Sequence, residues 1–133
     1  MKASSVSFIG AVVLALVGMV WGIVMAASQD HSTMPAHAHL NLLGWVSLFL
    51  FGLFYHLHPA IDLSRLAVLQ VWAWIVGTVV LTIGVALVHT GNALGDPIAA
   101  VSSLVVVAAM ALFGWIILRR EQIGVIARPL PAE

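Results

Sequence analysis

Two histidines and an asparagine open the second of four long apolar stretches, in the order His37-Ala38-His39-Leu40-Asn41-Leu42-Leu43-Gly44-Trp45. An ionisable side chain inside a membrane span is costly and marks a functional site. Imidazole is also a principal nitrogen ligand of iron and copper. At ~100° per helical residue the His37 and His39 rings lie ~200° apart. They are therefore placed to serve two sites or two neighbouring helices rather than to chelate one ion. Asn41, Gly44, Leu48 and Tyr55 share the His37 side, a partly polar stripe suited to a protein or cofactor contact. Leu43, Val46, Leu50 and Leu53 share the His39 side, which suits an apolar macrocycle or a helix neighbour.

The other histidines sort by membrane level. His89 ends the third apolar stretch on the side where His37 and His39 begin the second, so three of the six share one level. His56 and His58 lie at the opposite end, ~26 Å from His39 at 1.5 Å rise per residue. These two read as hydrogen-bonded or wet interfacial groups, and His31 as a solvated loop residue. Bis-imidazole ligation of haem takes two rings from different helices across a flat apolar slot. Thr78, Thr82 and His89 fall near one line of the third stretch, and Gly77, Gly84 and Gly91 repeat every seven residues along another. In a membrane a polar line must face protein, and a glycine line admits a close neighbour. Gly18 and Gly22 give the first stretch the same small-residue spacing.

The elements that carry these groups follow from composition. The 133 residues are 62% hydrophobic and 8% charged, with a mean hydropathy of +1.13. That leaves almost no material for a polar surface, and the chain reads as an integral membrane protein. Cysteine is absent, which excludes disulfides, thiolate metal sites and thioether-linked haem. The net charge is zero and no basic run points to nucleic acid. Stretches over about 6–27, 34–56, 66–89 and 97–118 each reach the roughly 20 residues that cross a hydrocarbon core. Thr33 with Pro35 predicts the start of the second helix, and Asp96-Pro97 an N-cap and first-turn proline for the fourth. Lys2, Arg65, Arg119, Arg120 and Arg128 all fall on one side, which predicts cytoplasmic termini. Tyr55, Trp72, Trp74 and Trp115 suit an aromatic belt on that side, whereas Trp21 and Trp45 do not. A signal-peptide reading of the first stretch meets an apolar core longer than the roughly 7–15 residues usual for one.

His39-Leu40-Asn41-Leu42-Leu43, followed by Trp45, Phe51-Gly52, Tyr55 and Pro59, resembles the second transmembrane helix of the catalytic subunit of the haem-copper oxidase superfamily, and most of all that of nitric oxide reductase. The resemblance implies that His39 is an axial ligand of a low-spin haem b. His37-x-His39 is similar to the family's tenth-helix His-x-His, whose rings serve two haems, and His89 occupies a place similar to that of its copper-binding histidines. The likeness spans about 25 residues. The chain departs from the family in supplying four helices where that subunit has about twelve in approximate threefold symmetry. It also lacks an adjacent His-His pair and a His-Pro-Glu segment, so a complete oxygen- or nitric oxide-reducing site is not encoded in one protomer.

The expectation is an all-α, four-helix transmembrane bundle forming one domain over residues 1–133, similar to one repeat of the oxidase core, in a prokaryotic cytoplasmic membrane. Haem b is the expected cofactor, with copper the other candidate metal, and His37, His39, His89 and Asn41 are the expected site residues. Electron transfer or redox sensing with an unidentified redox partner is the expected role. A bare copper or zinc site in a metal-handling or assembly protein and a purely structural subunit are the alternatives. The His37–Asn41 stripe needs a cover that lipid cannot provide, which predicts a closed homo-oligomer. A trimer would regenerate twelve helices.

Overall fold

The computed structural model describes residues 1–120; Arg128, one of the five cations in the orientation argument, lies outside them. Among the described residues four helices are long and apolar enough to cross a membrane: α1 (Ala3–Ser28), α2 (Met34–Leu57), α4 (Arg65–His89) and α5 (Gly95–Leu118). A single turn, α3 (Pro59–Asp62), joins α2 to α4. The chain is an all-α membrane protein whose spans run alternately up and down. Its surface is correspondingly apolar, with Ile9, Leu16, Val20, Leu50, Ile83, Val101 and Leu104 among the exposed large side chains. Apolar lipid gives little drive for one helix to leave it for another, so association rests on close packing and internal hydrogen bonds.

Glycine supplies that packing at both main interfaces. Along α1 and α2, small residues alternate with the larger side chains that fill them. Gly22 lies against His37, Gly18 against Asn41, Gly44 against Leu14, Gly10 against Leu48 and Gly52 against Phe8. Between α4 and α5, Gly77 takes Val105 and Val106, and at Gly84 the two backbones meet. A methyl group there would stand 2.6 Å from the Ala99 nitrogen. Gly91, the third of the heptad series, instead turns the loop at φ +76°. α4 is the most buried span and α1 and α5 are the least. On α4, Thr78 and Thr82 face inward as a polar line must, with hydroxyls that find no partner among the described residues. His89 at the helix end is exposed.

Side-chain hydrogen bonds fasten the helices at the ends. Lys2 offers no acceptor at the start of α1, and the cap comes from 58 residues away. The buried Asp62 carboxylate accepts from the Ser4 backbone N–H and from Ser4 Oγ, both at 2.7 Å, which satisfies donors that every helix N-terminus leaves free. The contact fixes the start of α1 and the α2–α4 turn at one end of the bundle. Nearby, Tyr55 OH donates to Gln70 Oε1 at 2.9 Å, and Gln70 Nε2 donates to the Ala109 carbonyl at 3.4 Å. Ser64 Oγ caps α4 by accepting from Ala67 N at 3.1 Å.

Several local expectations are corrected. Residues Leu40–Ser47 of α2 wind as a π-helix. The wider turn is held by side chains that take its carbonyls: Trp74 Nε1 donates to Leu43 O and Ser47 Oγ to Leu42 O, each at 2.9 Å. Trp74 and Tyr55 are thereby core residues rather than belt residues, while Trp72 and Trp115 do face outward. Thr33 is the N-cap of α2 with Pro35 in the first turn, as expected, but its hydroxyl accepts from Trp21 Nε1 at 3.1 Å and makes no cap hydrogen bond. Asp96 sits inside the first turn of α5, not before it, because Gly95 is already helical and packs on the Val88 backbone.

Candidate functional site

His37 and His39 lie in the α-helical first part of α2, ahead of the π segment, and they point to opposite sides as their spacing requires. His37 turns toward α1, where a methyl group on Gly22 would stand 3.2 Å from its Cε1. Asn41 lies on the same side. Its Nδ2 donates to the His37 carbonyl at 2.9 Å and lies 3.3 Å from His37 Nε2, while the amide as a whole packs over Gly18. The polar stripe thus has its cover within the chain, from the glycine shelf of α1. His37 and Asn41 remain half-buried there.

His39 turns the other way, into an open cleft between the N-terminal halves of α2 and α5 with α4 as its floor. Pro35, Leu42, Leu43, Leu81, Val106 and Val107 supply most of the wall, and the cleft measures about 540 Å³. The two helices close below it through Phe113, whose ring centroid lies 4.3 Å from that of Phe51 and 5.2 Å from that of Phe54. The polar side chains at the cleft are His39 and Ser103, and the Ser103 hydroxyl donates to the Ala100 carbonyl at 2.8 Å.

The tautomer of His39 follows from its hydrogen bond. Nδ1 lies 2.8 Å from the Pro35 carbonyl, which can only accept, so Nδ1 carries the proton. The neutral ring then offers the Nε2 lone pair. This is the posture of a metal-ligating histidine, whose other nitrogen is fixed by a backbone carbonyl. His58 and His89 make the same bond, to Phe54 O at 2.7 Å and Val85 O at 2.9 Å. The posture is therefore common to three histidines, and what distinguishes His39 is the apolar cleft in front of it.

Of the four expected site residues the cleft takes in His39 alone. His37 and Asn41 belong to the α1 interface, and His89 is not among the lining residues. Among the described residues no three or more His, Cys, Asp or Glu side chains gather to hold a metal ion. His56 is exposed beside Phe8, and His58 stacks on Phe54 at 4.3 Å, in line with their reading as interfacial and hydrogen-bonded groups. His31 is exposed in the loop between α1 and α2. Next to it the backbone N–H and hydroxyl of Ser32 hold the Asp30 carboxyl below its ordinary range. Sequence reading did not anticipate the α4 and α5 walls of the cleft. Their signal is slight, since Leu81, Val106 and Val107 look like any lipid-facing residues, and only Ser103 stands out from its surroundings. Comparison with protein family models, curated proteins and solved structures finds no match for this chain.

Proposed function

We propose that this protein binds haem b in the membrane through axial ligation by His39 and serves in electron transfer or redox sensing. The observation that carries the reading is the His39 ring itself, with Nδ1 tied to Pro35 and Nε2 presented to an apolar cleft. The cleft fits such a group in chemistry and in size. Its walls are almost wholly hydrocarbon, its donor is an imidazole nitrogen, and its volume falls within the ~300–1,000 Å³ of small-molecule sites. One-electron chemistry would come from the iron, and the chain would supply ligation, orientation and exclusion of water. The family resemblance of the His39–Leu43 segment supports the same assignment.

His39 is the single histidine lining the cleft, so a bis-imidazole site draws its second ring from another copy. A closed homotrimer, with both termini in the cytoplasm, is the assembly we favour, because it restores twelve helices. A bare copper or zinc site has less support, since no cluster of three donors forms within the described residues. The test is the visible spectrum of the detergent-purified protein. Wild type should show a Soret band and a sharp reduced α-band. His39→Ala should lose or convert them while still inserting, and His56→Ala, ~26 Å away along α2, should keep them. A colourless wild type, or an unchanged spectrum in His39→Ala, refutes the assignment.

A further inference from the structure

The inner ends of α2 and α5 frame a second recess, of about 310 Å³, lined by Leu57, His58, Pro59, Ala60, Ile61 and Arg120. Its floor is apolar and its two polar side chains come from positions far apart in the chain. The His58 ring is fixed from behind, with Nδ1 on the Phe54 carbonyl and its face stacked on Phe54, which leaves Nε2 as its available nitrogen. Arg120 is exposed at the rim. Of the three carboxylates among the described residues, Asp62 is buried on Ser4, and Asp30 and Asp96 stand at the opposite end of the bundle. Among the described residues, none of these carboxylates lines the recess. Leu57 and Leu118, 66% and 83% exposed, extend hydrocarbon beside it at the level where a helix end meets the headgroups.

We propose that this recess binds the headgroup of an anionic phospholipid, with Arg120 on its phosphate, His58 Nε2 accepting from a headgroup hydroxyl, and Leu57 and Ile61 against the first part of its acyl chains. A soluble phosphate would satisfy the cation but would leave the apolar floor uncovered. A lipid uses both halves. Basic side chains at the membrane end of a span are the usual means of holding anionic lipid, each worth ~1 kcal/mol near the surface, which is about fivefold in affinity.

Native mass spectrometry of delipidated protein titrated with phosphatidylglycerol or phosphatidylcholine tests the proposal. Wild type should retain phosphatidylglycerol in preference to phosphatidylcholine. Arg120→Gln should weaken that retention about fivefold. His58→Gln should weaken it also, and Arg65→Gln, at the same end but outside the recess, should not. Arg120 is exposed, so its variant reads binding without a change of fold. Equal retention of the two lipids, or an equal loss in Arg65→Gln and Arg120→Gln, overturns the proposal. Displacement of the lipid by an equal concentration of inorganic phosphate does so too, and would identify free phosphate as the ligand.

Discussion

Asp62 shows how much one side chain can hold when water is scarce. Its carboxylate is 4% exposed and takes two hydrogen bonds from Ser4. It thereby caps a helix whose own N-cap residue, Lys2, has no acceptor to offer. Hydrogen bonds to a charged group contribute more than neutral ones, so Asp62→Ala should lower stability in detergent by about 2 kcal/mol. Thermal melts checked against Asp96→Ala, an exposed acid whose side chain makes no cap hydrogen bond, measure this. An equal effect of the two substitutions would show that the Ser4 contact is unimportant. His37 makes the opposite case, since its placement on the glycine shelf of α1 removes it from the cleft. If His39 ligates haem, His37→Ala should leave the absorption spectrum in place while lowering the melting temperature through lost α1–α2 packing. Bleaching of the spectrum by His37→Ala with the melting temperature unchanged would return His37 to the ligand set.

The helix interfaces depend on glycine at particular positions rather than on glycine content. Gly84 faces the Ala99 backbone, whereas a Cβ added at Gly114 would meet nothing within 4 Å. Gly84→Leu should therefore cost about 1–3 kcal/mol by forcing α4 and α5 apart. Gly114→Leu should cost little. Chemical denaturation in mixed micelles compares the two, and equal losses would mean that the close α4–α5 approach is not needed for stability. The π segment of α2 is likewise a property of its neighbours, because Trp74 reaches across from α4 to hold the Leu43 carbonyl.

For the whole molecule, the Ser4–Asp62 contact puts the start of α1 and the α2–α4 turn at one end, the end that gathers Lys2, Arg65, Arg119 and Arg120. Reporters fused after Glu133 or inserted near Ala60 should give a cytoplasmic signal, and one near Gln29 an outside signal. An external C-terminus would reverse the levels assigned to the histidines. Assembly rests on the single ring in the cleft. Mass measurement in mild detergent should give a trimer with up to one haem per protomer, and a monomer with full bis-imidazole haem would refute the contribution of a second copy.

The sequence by itself determined the four spans, their alternating course and the opposed directions of His37 and His39. These follow from local rules: apolar length against bilayer thickness, and the fixed rotation per helical residue. Helix starts were partly legible: Thr33 with Pro35 does begin α2, whereas Asp96 has the right chemistry for a cap and Gly95 places the start of α5 ahead of it through packing. Which partner each histidine meets was beyond any local rule. His37 and His39 carry the same side chain two residues apart, and only the tertiary structure gave one a glycine shelf and the other a cleft. The cap on Ser4, the carbonyl held by Trp74 and the walls of the cleft join residues distant in the chain. Their energies arise from proximity that exists only once the helices have packed, and no spacing along the chain encodes that proximity.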